Sequence, residues 1–159
     1  MRILLAVDGS PFSNAAVDEV CRRPWPPKSI VRLISVRSPV ELNHLPEASH
    51  QPMAYDEIFE KPGWERARVL DDAAALLKQR APDLQVIPAL LEGRPKDVIL
   101  DEAEQWSADL IVLGSNGYGP IKRFFLGSVS LAVALNATCS VEIVRRPPHL
   151  PAQTASVVS

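Results

Sequence analysis

Arg2-Ile3-Leu4-Leu5-Ala6-Val7-Asp8-Gly9-Ser10-Pro11 is the stretch that decides the fold. Arg2–Val7 is apolar without alternation after its first residue, the pattern of a strand buried on both faces. Asp8-Gly9 stops the run. Ser10 followed by Pro11 reads as a helix N-cap with proline in the first turn. A helix is therefore predicted from Pro11 to Arg22, ending before Pro24, because proline cannot continue it. A strand covered on both sides and followed within a few residues by a helix is the unit of a parallel sheet.

The same unit repeats along the chain. Ile30–Val36 reads as a second strand and Leu84–Leu91 as a third. Gly63–Arg80 reads as a helix with Ala67, Leu70, Ala74 and Leu77 on one stripe. Pro95–Trp106 reads as a further helix, with Val98, Ile99, Ala103 and Trp106 inward. Asp109–Leu113 is a fourth strand, Gly114–Leu126 a glycine-containing loop, Gly127–Asn136 a fourth helix and Ser140–Val144 a fifth strand. Residues 37–62 carry Pro39, Pro46, Pro52 and Pro62 without a sustained period and read as a long loop, functional or mobile. The expected organisation is a single α/β domain over residues 1–146, with 147–159 as a flexible tail. In such sheets ligands bind beyond the carboxyl ends of the strands, where strand order reverses. The loops after the first and fourth strands then border one crevice.

Composition narrows the function classes. The chain has 159 residues, enough for one ordinary domain with a real core. Seventeen basic residues against nineteen acidic ones leave a formal charge of −2, which gives no polyanion-binding surface, so nucleic acid is not expected. No run of about 18 apolar residues is present, so no membrane span is expected. The apolar run behind Met1-Arg2 is too short for a signal peptide and ends in Asp8-Gly9. Cys21 and Cys139 are far apart in apolar company and read as reduced core thiols of a cytoplasmic protein.

The segment Leu113-Gly114-Ser115-Asn116-Gly117 through Leu126-Gly127-Ser128-Val129-Ser130 carries the chemistry. Gly114 and Gly117 permit backbone conformations closed to other residues and let a ligand approach the main chain. Gly127 and Ser128 open a helix, where N–H groups and the aligned peptide dipoles favour an anion. Ser128 and Ser130 add hydroxyl donors. A glycine at a strand-to-helix turn is commonly structural, but Gly-x-x-Gly, nine residues, then Gly-Ser at a helix start is far more specific.

This spacing resembles the nucleotide motif of the ATP-binding universal stress proteins. The resemblance covers most of residues 1–146, including Ile3–Ser10, Asp109–Ser115, Leu126–Ser130 and Cys139–Arg145. It implies an open parallel five-stranded sheet in the order 3-2-1-4-5 with helices on both faces, a Rossmann-like arrangement. It implies that Asp8 lies beside an adenine nucleotide and helps hold its Mg2+. Ala6 and Val7 would line the adenine side, a backbone group of Val36 would read the adenine edge, and Leu113 would cover ribose or base. Gly114 and Gly117 would wrap the phosphates, and Gly127, Ser128, Val129 and Ser130 would bind the outer ones. It also implies a homodimer through the fifth-strand edge, Val141–Val144. Asn116 and Ser35 depart from the pattern, standing where many members carry a basic or imidazole residue and where His is frequent.

Other candidates have plainer readings. Asp8 before Gly-Ser is by itself a turn or cap residue. His44, His50 and His149 show no ligand spacing. Trp25, Trp64 and Trp106 read as packing anchors, Lys122-Arg123 equally as a solvated pair or a phosphate contact, and Arg145-Arg146 is too small for a nucleic-acid patch. No Gly-x-x-x-x-Gly-Lys-Ser/Thr motif is present. The expectation is a nucleotide-binding regulatory module rather than an enzyme; the alternative is a slow ATPase or phosphotransfer enzyme, for which the sequence offers no positioned base.

Overall fold

The structure is a computed structural model that describes residues 1–38, 63–116 and 126–145. Expectations for most of the 37–62 loop, for Gly117, for Lys122-Arg123, for the three histidines and for the tail lie outside the described residues. The elements run β1 (Arg2–Ala6), α1 (Pro11–Arg22), β2 (Ile30–Arg37), α2 (Gly63–Arg80), β3 (Gln85–Glu92), α3 (Pro95–Gln105), β4 (Leu110–Gly114), α4 (Ser128–Asn136) and β5 (Ser140–Val144). The predicted ends differ from these by a residue, the ordinary uncertainty of element boundaries.

All strand pairs are parallel, in the order β3-β2-β1-β4-β5. β1 sits in the middle, with Leu5 opposite Leu33 on one side and Val112 on the other. Strand alternation then divides the apolar residues between two cores. Ile3, Leu5, Val31, Leu33, Leu110 and Val112 face α1 and α2. Leu4, Ile34, Val36, Ile111 and Leu113 face α3 and α4. Burying each such side chain stabilises the fold by about 1.5–3 kcal/mol. β3 is an edge and alternates between half-buried and exposed residues, which lets it carry Pro88 opposite Leu33.

The local signals act as read. Ser10 caps α1, its Oγ accepting the Ser13 N–H at 3.2 Å with Pro11 in the first turn. The helix stops at Arg22, and Arg23 turns extended ahead of Pro24. On α2, Leu70, Ala73, Ala74 and Leu77 are buried, so the stripe gains Ala73 and leaves Ala67 half-buried. Ile99 and Ala103 anchor α3, with Val98 packed beside them. Trp25 is a packing anchor whose indole N–H donates to Val20 O at 2.7 Å. The cysteines are half-buried and free, Cys21 against the α1/α2 core and Cys139 against the α3/α4 core, so the sheet itself separates them.

Candidate functional site

Strand order reverses at β1, whose following chain turns to α1 while that of β4 turns towards α4. Two loops therefore meet over the carboxyl ends of β1 and β4. On the β1 side, Gly9 has φ +79°, a left-handed conformation that favours glycine. Asp8 Oδ1 accepts the Ser10 N–H at 2.8 Å, and Ser13 Oγ accepts the Gly9 N–H at 3.1 Å. Asp8 thus acts first as the turn residue that its plainer reading suggests. Among the described residues no group of three or more His, Cys, Asp or Glu could hold a metal ion.

On the β4 side, Ser115 N–H continues the ladder to Val144 O at 2.9 Å, and Ser115 O accepts the Gly127 N–H at 2.8 Å. Ser130 Oγ donates to the same Ser115 O at 2.8 Å and lies 3.0 Å from Gly127 O. Here the structure differs from the sequence reading. Gly127 was expected to present a free N–H and Ser130 a free hydroxyl, yet both groups fasten the start of α4 to the end of β4. Gly127 is the N-cap and Leu131 N–H makes its intrahelical bond back to Gly127 O. Asn116 bridges the loops, its carbonyl 3.4 Å from Ser10 Oγ.

Gly114 also has a different reason to be glycine. A Cβ there would lie 2.5 Å from Phe12 C, 2.7 Å from Ser13 N and 2.8 Å from Phe12 O. The first turn of α1 rests directly on the end of β4, so packing alone demands the bare Cα. At Gly127 a Cβ would stand 3.3 Å from both Asn116 Cα and Oδ1, a tight but less severe approach. Val7, Val36 and Leu113 are buried with their side chains in the two cores, and Ala6 is half-buried against the second. These four residues can meet a ligand at this edge chiefly through their main chain.

Two features escaped the sequence reading. Asn116 Oδ1 is buried and has no hydrogen-bond partner among the described residues. Arg66, on α2, extends its Nη1 to within 3.3 Å of Asp8 O. No motif marks Arg66, which looked like any charged residue on a helix surface. A groove of about 480 Å³ between α1 and α2 reaches Val7 and Gly9, but its rim sets Asp18, Glu65 and Asp72 against Arg68. That surplus of negative charge disfavours phosphate, so the crevice over β1 and β4 remains the candidate.

The model of the universal stress protein family matches residues 1–145. The universal stress protein YxiE of Bacillus subtilis is 30% identical over 147 residues, covering 91% of this chain and 98% of the relative. A universal stress protein of Mycolicibacterium smegmatis is 32% identical over 152 residues, covering 90% of this chain, which spans 45% of that longer protein. Two solved structures share the fold. A universal stress protein in complex with cAMP has a TM-score of 0.66 at 21% identity, with 91% of this chain and 96% of the other covered. An Arabidopsis thaliana universal stress protein family member with AMP bound has a TM-score of 0.63 at 18% identity, with 96% and 97% covered. With the family model matched over residues 1–145 and the sheet order β3-β2-β1-β4-β5, the chain belongs to the universal stress protein family.

Proposed function

We propose that this protein binds an adenine nucleotide, ATP first among candidates, in the crevice over β1 and β4 and acts as a regulatory module. The observation that carries this reading is the start of α4. Gly127 and Ser128 bring a helix N-terminus to the point where strand order reverses, and the aligned peptide dipoles there favour phosphate oxygens. The residues fit such a group: Asn116 Oδ1 is a buried acceptor that a ligand hydroxyl or a phosphate-borne cation would satisfy. Two proteins of the same fold carry cAMP and AMP, which supports an adenine nucleotide. Gly114, Gly117, Gly127, Ser128, Val129 and Ser130 form or support the phosphate side in this reading, and Ala6, Val7, Val36 and Leu113 the base and ribose side. Asp8 contributes its second carboxylate oxygen to a Mg2+ brought in by the phosphates.

Occupancy regulates only if the nucleotide binds two states of the protein unequally. A second copy joined at β5 provides such a state. β5 is the sheet edge beside the crevice, and Val141, Ile143 and Val144 give it an apolar strand suited to pairing. Sedimentation with and without ATP tests that part, since a monomer at all concentrations would remove it.

Equilibrium binding of labelled ATP tests the site. Gly127→Asp places a carboxylate against the α4 amides and Asn116 Oδ1, and is expected to weaken ATP by more than tenfold; Gly127→Ala, without the charge, should lose much less. Equal binding by wild type and Gly127→Asp would move the site elsewhere.

A further inference from the structure

Arg66 is a half-buried cation at the rim of the crevice. Arg68, two residues further along α2, is paired, lying 3.8 Å from Asp72, whereas Arg66 forms no ion pair among the described residues. Among the described residues its hydrogen bond runs to a neutral acceptor, Asp8 O, at 3.3 Å. A guanidinium has five N–H donors in a planar fork, so most of its capacity remains. The Asp8 carboxylate forms no ion pair with it among the described residues, and Asp8 Oδ1 accepts the Ser10 N–H.

Position gives these donors a direction. From Arg66 the contacts pass to Asp8 O, from Asp8 to Ser10, from Ser10 Oγ to Asn116 O, and from Asn116 to Gly127 at the start of α4. The guanidinium therefore reaches the β1 loop from the α2 face of the sheet, and α4 starts on the opposite face with the two loops between them. One side offers a helix N-terminus and the other a full positive charge with a fork shaped for two oxygens.

We propose that Arg66 is a phosphate-reading residue of this crevice, which closes on the phosphate chain from the α2 side and favours nucleotides over the nucleoside. The inference rests on the adenine-nucleotide reading above. A triphosphate carries more negative charge than a monophosphate, so the contribution of Arg66 grows with phosphate number. The bond to Asp8 O fixes the guanidinium before the ligand arrives, which reduces the ordering that binding requires.

The test measures equilibrium binding of ATP, AMP and adenosine to wild type, Arg66→Lys and Arg66→Ala, at two salt concentrations. Arg66→Ala should weaken ATP about tenfold or more, AMP less, and adenosine not at all. Arg66→Lys should fall between, since charge persists while the fork is lost. The salt dependence of ATP binding should be shallower in Arg66→Ala than in wild type. Equal losses for ATP and adenosine would overturn the proposal, because they would mean that Arg66 only shapes the Asp8 loop. Unchanged ATP affinity in Arg66→Ala would overturn it as well. If Arg66→Ala does not fold, the ATP-to-adenosine affinity ratio of Arg66→Lys decides, and a ratio equal to wild type rejects the role. Wild-type protein that binds neither ATP nor adenosine would instead defeat the nucleotide reading itself, a result distinct from failure at Arg66.

Discussion

Ser130 Oγ donates to Ser115 O at 2.8 Å, across fifteen residues of chain, and so binds the first turn of α4 to the end of β4. The Gly127 N–H reaches the same carbonyl. One oxygen thus sets the position of the helix terminus that the proposed phosphate site depends on. The hydroxyl that the sequence offers as a ligand donor is already bonded within this frame.

Ser130→Ala should therefore act on stability before it acts on binding. The lost hydrogen bond is buried, and Ser115 O keeps the Gly127 N–H, so a cost of about 1 kcal/mol is expected. That corresponds to a drop in Tm of roughly 2–4 °C for a chain of this size. Calorimetry and ATP titration of the same sample check it. A large loss of ATP affinity at an unchanged Tm would return the hydroxyl to the ligand.

Gly114→Ala should be among the most damaging small substitutions in the protein. The added methyl would sit 2.5–2.8 Å from Phe12 and Ser13 backbone atoms, which cannot swing aside as a side chain does. Overpacking of this kind costs about 1–3 kcal/mol, and backbone obstruction places Gly114→Ala at the upper end. Denaturant unfolding measures it. A midpoint equal to wild type would mean that α1 can lift from β4 freely.

Leu77 and Leu135 offer a contrast on one residue type. Leu77 is fully buried on α2, whereas Leu135 on α4 is 74% exposed. Leu77→Ala should cost about 2–5 kcal/mol through lost burial and the cavity left behind. Leu135→Ala should change the stability of the monomer by less than about 0.5 kcal/mol. Chemical denaturation of dilute protein compares them, and comparable losses would place Leu135 in a buried contact.

Both thiols should react slowly in the folded protein. Burial pushes the Cys21 pKa up against the opposing charge of Arg80, and burial is also the main cause that raises Cys139. A raised thiol pKa leaves less thiolate at a given pH, and the thiolate is the nucleophile. At pH 8 alkylation by iodoacetamide should be slower than in denaturant, with the native pH profile displaced to higher pH. The linked stability has the same sign: it is complete below the ordinary thiol pKa and is lost as pH rises through the folded-state value. Native rates equal to denatured rates would contradict the burial of these groups.

The sequence by itself determined the layered architecture, because the information was local and periodic. Two-faced apolar runs such as Ile3–Val7 can only be covered by helices on both sides, and Ser10-Pro11 starts a helix wherever the chain goes. The glycine spacing from Gly114 to Gly127 pointed to the loops after β1 and β4 through its resemblance to a known family. Only the tertiary structure decided which polar groups there are already satisfied and why each glycine is small. Ser130 meets Ser115, Gly114 carries the backbone of Phe12, and Arg66 reaches Asp8 across 58 residues. Such contacts join residues with no shared period, and a hydrogen bond between distant segments leaves no trace in the composition of either.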